Sequence, residues 1–406
     1  MKKLNYLLLA LALVTFMSCR KEGCTDENAI NFDADAGKDD GSCIYEDTGS
    51  GENPTINLAG TSSAPETIEN IFESSTAYDY YIQGTWTIDA AVVIEPGVRI
   101  LMKANSKVRV TPNGSLDASG TETLPIHFIG EQDVKGFWQN IEFDGSNNPN
   151  NKLIYTTVHG AGGQTTRPAG VYVRNNSRLV MQNSTVTQSD GNGLELNSGN
   201  GVLTDFENNT FINCNLNAIK LSSWRQAAEI DYATEFSENN SFNRVLVGSA
   251  TINTPITINK INGPFYVEGT ANIESDMIIT AGTEILMGPG SGIYVTPDGS
   301  LKIEGTSSER VIIKGNQEVP GFWGAIRYEG TVSPNNIIEF TDISHGGGTS
   351  TRPGNIYMRQ NAEISMGNSS SNFSERWGVN GTSGTVFNDL GNNTYTGNQE
   401  GDNSFD

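Results

Sequence analysis

Short runs in which apolar and polar residues alternate fill most of the chain. Val108 and Val110 flank an arginine, Leu116 and Ala118 an aspartate, Ile126 and Phe128 a histidine, and Ile141 and Phe143 a glutamate. A period of two puts such pairs on one face of a β-strand and the intervening residue on the other. The same pattern returns at Val171 and Val173, Leu179 and Met181, and Leu194 and Leu196. Farther on it governs Ile293 and Val295, Leu301 and Ile303, Val311 and Ile313, and Ile326 and Tyr328. Each run lasts a few residues and closes on Gly, Asn, Pro or Asp, the residues that turn a chain. The pattern predicts an all-β protein whose short strands each bury one face.

The chain also repeats itself. "VTPNGSLDASGT" starts at Val110 and "VTPDGSLKIEGT" at Val295, a spacing of 185 residues. At that spacing "ILM" at 100–102 meets "ILM" at 285–287, "GFW" at 136–138 meets 321–323, and "TRP" at 166–168 meets 351–353. "NNT" recurs near 208 and 392 after a one-residue slip. This is a duplication covering most of the chain, shortened at its second end.

Short strands with polar turns fit a sandwich, a propeller or a solenoid. Hairpin signals are sparse, and asparagine runs such as "SNNPNNKL" and "ENNTFINCN" suit stacked turns in which Asn tolerates a left-handed backbone. The phrases "GSLDASGTETLPIHFIG", "GFWQNIEF" and "NNKLIYTTV" resemble those of the right-handed parallel β-helix, the pectin-lyase-like superfold, in bacterial surface lipoproteins. The resemblance implies two tandem homologous solenoid segments, residues 80–250 and 251–406, joined near 245–265 and preceded by a linker and approach at 46–79. A thin continuous core would also account for the modest 36% of hydrophobic residues beside 45 glycines.

Charge narrows the partners. With 47 acidic and 25 basic residues the 406-residue chain carries a formal −22, which excludes nucleic acid as a partner because no basic stripe is present. Lys2 and Lys3 precede "LNYLLLALALVTFMSC", an apolar run too short to span and remain in a membrane. It resembles a bacterial lipoprotein signal, although Phe16 and Met17 depart from the strictest form. That resemblance implies a leader at 1–18, lipid on Cys19, and an exported protein held on the outer membrane, on its periplasmic face or at the cell surface. An ordinary signal peptide cut nearby is the alternative.

"CTDENAINFDADAGKDDGSCIY", at 24–45, resembles a short acidic module of exported proteins in some Gram-negative bacteria. In an oxidising compartment Cys24 and Cys43 are candidates for one disulfide, and Cys214 is left as a buried apolar residue. Asp33, Asp35, Asp39 and Asp40 are candidate calcium ligands. Counting from Asp33 puts Lys38 where an EF-hand needs glycine and Ile44 where it needs glutamate, so the module is not an EF-hand. The alternative is a disulfide-pinned acidic spacer.

Candidate chemistry is thinner. Relatives of this superfold include pectate lyases and glycosidases, so Glu142, Asp144, Asp190 and Arg174 are the candidates if the protein is an enzyme. Glu142 and Asp144 share an outer face, but their counterparts are Arg327 and Glu329, so the carboxylate pair is not kept between copies. The motifs "HGAGGQTTRPAGVYVR" and "HGGGTSTRPGNIYMR" each supply a His, a Gly-rich loop, a Thr-Arg-Pro turn, and then Tyr and Arg. His159, Arg167, Tyr172 and Arg174, with His345, Arg352, Tyr357 and Arg359, are therefore the candidate ligand-binding residues, set to face outward and grip a sugar chain. The opposing reading is a loop that lets the coil bulge. Trp138 and Trp323 read as corner packing rather than sugar platforms. Three histidines without ligand spacing, and one spare cysteine, give neither a zinc pattern nor a nucleophile with its base.

The leading expectation is a lipid-anchored envelope β-helix that binds or displays polysaccharide or another surface polymer without catalysis. The alternatives are a lyase or glycosidase on acidic sugars, and a stalk or adhesin with a protein partner. Calcium is the one candidate cofactor.

Overall fold

The computed structural model describes residues 54–405, together with 21–25, 27 and 34–38. The chain divides into two units, Met1–Glu52 and Asn53–Asp406. In the first, strands Lys21–Glu22 and Ala36–Lys38 pair in parallel, and Cys24 is buried and disulfide-bonded. Its partner lies outside the described residues, as do Cys19, Cys43, Asp33, Asp39 and Asp40.

The second unit is a parallel β-helix. From Ile56 the chain visits three faces in turn and comes back one coil higher, pairing each strand in parallel with the strand of the preceding coil. The first face starts at Ile56–Asn57, the second at Gly60–Ser62 and the third at Glu66–Ile68. Residues 56–62, which the sequence places in a linker, thus belong to the first coil. They lack alternation and are largely exposed, and they are held by pairing with the coil above and by the Trp86 indole donating to Ser62 Oγ at 2.8 Å.

Stacking turns the alternating pattern into columns. On the second face Trp86, Val108, Ile141, Val171, Leu194, Ile219, Val245, Phe265, Ile285, Ile313 and Ile343 lie over one another, all essentially inaccessible to solvent. Every inward residue expected from the alternation is buried. Corners are columns too. Tyr155, Asn183 and Asn208 in the first half, and Phe340, Asn368 and Asn392 in the second, all take positive φ. Asn208 donates to Asn183 at 2.6 Å and Asn392 to Asn368 at 2.9 Å, so asparagines of successive coils pair at these turns, whereas in "SNNPNNKL" Asn151 Nδ2 donates within its own turn, to the Ser146 carbonyl at 2.9 Å.

The repeated "TP(N/D)GS" phrase has a steric cause. A Cβ on Gly114 would sit 2.1 Å from the carbonyl oxygen of Ile88 in the coil below, and one on Gly299 would sit 2.0 Å from that of Ile273. Only glycine lets the corner descend onto its neighbour.

The coils change character once. After strand Asn217–Leu221 the third face is replaced by a one-turn helix, Trp224–Ala227, capped by Ser223, and the first face by an isolated parallel bridge between Thr210 and Glu235. Trp224, Ile230 and Phe236 keep the core filled there. The thirteen-stranded second face runs through this seam unbroken, while new sheets start at Ala250–Ile252 on the third face and Ile256–Ile258 on the first.

The spacing of 185 residues is not a whole number of coils, so each equivalent strand lands one face further round. Arg99–Met102 belongs to the first face but its equivalent, Glu284–Met287, to the second. Lys107–Val110 belongs to the second face but Gly292–Val295 to the third.

Two substitutions test this packing. Tyr328 occupies the core position that Phe143 holds in the first half; it is fully buried, its hydroxyl has no hydrogen-bond partner, and burial drives its pKa up. Tyr328→Phe removes an unsatisfied polar group and is expected to raise stability by about 1 kcal/mol in denaturant unfolding; a lower midpoint would refute the assignment. Gly114→Ala is expected to lower it by about 1–3 kcal/mol through overpacking against Ile88.

Candidate functional site

The second face carries a charged column on its outer side. Register places Arg109, Glu142, Tyr172, Glu195 and Lys220 over one another. Asp144 and Arg174 are neighbours in the adjoining column. Strands in a sheet lie about 4.8 Å apart, so charges of opposite sign one coil apart are brought within ion-pair reach.

Glu142 is the centre of this arrangement. Its carboxylate pairs with Lys107, with Arg167 at 2.8 Å and with Arg174 at 2.7 Å. Arg167 reaches it from the loop before strand Ala169–Arg174, and the same loop is tied down where Asn140 Nδ2 donates to the Arg167 carbonyl at 3.2 Å. Asp144 pairs with Arg109 at 2.6 Å and Arg174 at 2.7 Å and accepts from Asn175 at 2.7 Å. Burial pushes the Asp144 pKa up, but the hydrogen bonds from Arg109, Asn175 and Arg174 outweigh it and hold the group below the usual carboxylate range. Both carboxylates are buried, Glu142 completely. Burial of the Lys107 ammonium lowers its pKa against the pull of Glu142.

In the second half the same positions lie on the third face with different charges. Gly292 stands for Lys107, Tyr294 for Arg109, Arg327 for Glu142, Glu329 for Asp144, Arg352 for Arg167 and Arg359 for Arg174. Arg327 and Arg359 both pair with Glu329, and Arg327 lies over the Tyr294 ring at 4.4 Å from its centroid.

The remaining candidates are dispersed. Tyr172 faces away from the core as the alternation requires, yet it is only 2% exposed, and Asn197 donates to its hydroxyl. Tyr357 is 8% exposed. Their rings are enclosed by neighbours in the same column, so neither offers an open face for stacking on a sugar. Asp190 is exposed, accepts from Asn215 at 2.7 Å and packs on Gly136; it makes no bond to the Glu142 group.

The two histidines are not equivalents. Trp138 donates to the His159 carbonyl at 2.7 Å, whereas Trp323 donates to that of Ser344 at 2.8 Å. His345 instead occupies the left-handed corner, φ 67°, that Gly160 fills at 76°. His159 pairs with Asp133 at 3.1 Å; burial lowers its pKa, with Asp133 opposing. His345 stacks on Phe373 and lines a shallow cavity of about 450 Å³ with Lys314, Glu318 and Asp342.

Trp138 and Trp323 are fully buried corner residues. The Gly-rich loops have a packing role as well: a Cβ on Gly163 or Gly348 would meet the carbonyl of Gly136 or Gly321 at 2.1 or 2.0 Å. Sequence reasoning missed Lys107, Arg109 and Asn175. The outward positions of "KVRV" were the signal available for the first two, since they lie one coil below Asn140 and Glu142.

No protein family matches the chain, nor does any curated protein or solved structure. The site is therefore read from its own geometry. Among the described residues no group of three or more His, Cys, Asp or Glu is placed to hold a metal ion. Of the four candidate calcium ligands only Asp35, an exposed residue, is described.

Glu142→Gln leaves Lys107, Arg167 and Arg174 around a neutral amide and is expected to cost about 3 kcal/mol in unfolding experiments. Asp144 has a lowered folded pKa, so its contribution is complete above the unfolded carboxylate value of about 3.9 and is lost as pH falls through the folded value. Asp144→Asn is expected to flatten that part of the acid limb in a pH–stability profile.

Proposed function

We propose that this is an exported, lipid-anchored β-helix of the cell envelope that binds or displays a surface polymer, polysaccharide foremost, without catalysis. The observation that carries this reading is the engagement of Glu142 and Asp144. A glycosidase needs two carboxylates open to one sugar bond at a set separation. Here both are buried and held by Lys107, Arg109, Arg167 and Arg174. The second copy keeps the cluster's position but exchanges its charges, which suits recognition better than a conserved reaction centre.

The leader-like run before Cys19 supports anchoring through lipid at that residue, on the outer membrane. In this reading the acidic module next to the anchor joins Cys24 to Cys43 and takes up calcium through Asp33, Asp35, Asp39 and Asp40. The two clusters lie on adjacent faces. A straight polymer along the axis therefore meets one at a time, and avidity comes only from a chain that wraps round the coil.

The test uses the purified full-length chain with and without Ca²⁺ against neutral and acidic polysaccharides, following both retention in affinity electrophoresis and new reducing ends. Retention without new ends is expected. New ends that disappear in the Glu142→Gln or Asp144→Asn variants would make the protein a lyase or glycosidase instead.

A further inference from the structure

The duplicated clusters differ in how their cations are satisfied. In the first copy four cations surround two carboxylates, and each cation has a carboxylate partner. Glu195 continues the column and pairs with Lys220 at 3.1 Å. In the second copy Glu142 has become Arg327 and Glu195 has become Asn380, and the register confirms both positions. Three guanidiniums, of Arg327, Arg352 and Arg359, are left with the single carboxylate of Glu329.

Arg352 is the residue out of balance. Its equivalent, Arg167, pairs with Glu142; Arg352 makes no ion pair with any described carboxylate. Its guanidinium instead lies 4.0 Å from where a Cβ would stand on Gly292, the counterpart of Lys107. The Nε atoms of Arg327 and Arg359 are buried without hydrogen-bond partners, as is that of Arg174 in the first copy, so it is Arg352 that sets the second cluster apart. Burial, then Arg359, then to a lesser degree Arg352, pull the Arg327 pKa down, as expected where like charges are crowded. Arg359 keeps 37% of its side chain exposed, so the cluster opens to solvent.

A chain with a formal charge of −22 has gathered uncompensated guanidiniums in one half-buried place. Planar forks of this kind match oxyanions bidentately. We infer that Arg327, Arg352 and Arg359 form a binding site for an oxyanion, a carboxylate or sulfate group carried by an acidic glycan, with Glu329 holding two of the three in position. Tyr294 backs Arg327 from the coil below and Tyr357 closes the column above. The glycan as source rests on the polymer-binding reading; the oxyanion site itself does not.

The experiment titrates the full-length chain by calorimetry with a galacturonate tetramer, a heparin-derived tetrasaccharide and a neutral glucan tetramer, at low and physiological salt, and repeats it with Arg352→Gln and Arg352→Lys. Polymer retention is measured alongside. Binding of one or both acidic oligomers and not of the neutral one is expected, weakening with salt. Arg352→Gln is expected to weaken it at least tenfold with little change in the ligand-free unfolding midpoint, because Arg352 has no ion pair to lose; Arg352→Lys retains an intermediate affinity.

Binding of the galacturonate tetramer assigns a carboxylate; binding of the heparin-derived oligomer alone, which carries both groups, assigns sulfate. Absence of acidic-oligomer binding, or equal binding by Arg352→Gln, overturns the site. Acidic-oligomer binding that depends on Arg352, with no polymer retained, supports the site and overturns the polymer reading.

Discussion

Coil-on-coil stacking is the constraint from which the rest follows. Hydrogen bonds between parallel strands run along the axis, and each residue is fixed over its counterpart about 4.8 Å away. The unit of design is therefore the column rather than the strand. An apolar column gives the core, an asparagine column gives a corner, and a buried charged column such as that of Glu142 alternates in sign or interleaves with aromatics; the more exposed Glu304 and Glu339, stacked on one another, are offset by Lys302. Like charges directly over one another would be costly. Hence Arg109, Glu142, Tyr172, Glu195 and Lys220 succeed one another as they do. The same constraint explains the second copy: once Glu142 is replaced by Arg327, the position beneath holds Tyr294 rather than another arginine, and the ring accepts the cation.

Much of the fold was legible because columns leave a mark on a single strand. Val108, Val110, Ile141 and Phe143 alternate in sequence for the same reason that they stack in space. The asparagine runs and the "TPNGS" and "TPDGS" corners are local requirements of backbone geometry, so they too can be read locally. The seam was not. A short helix at Trp224–Ala227 in place of a strand is a tertiary solution, decided by what fills the end of the core. Nor could the duplicated sequence reveal that its copies face different ways, because that depends on how many faces separate them.

The candidate site was legible in part. Arg167, Arg174, Glu142 and Asp144 do come together, although the sequence reached them by two separate arguments. The burial of Tyr172 was not foreseeable from alternation, which tells only which side of the sheet a residue is on. Outer-face residues are buried when long side chains in the next coil and a loop carrying Arg167 lie across them. The paired histidines show the opposite hazard: two similar strings, one residue out of step, put His159 on a strand and His345 at a corner.

The seam has a mechanical meaning. Below and above it three parallel sheets share any load applied along the axis. At its level the first and third faces are interrupted together, and only the second, through strands Asn217–Leu221 and Phe242–Val247, carries an unbroken ladder of backbone hydrogen bonds across. Force transmitted between the two halves is concentrated in that one sheet and in the packing of Trp224 against Phe265. The seam is thus where a pulled molecule yields first, with one face as the hinge and two half-solenoids that outlast the joint between them.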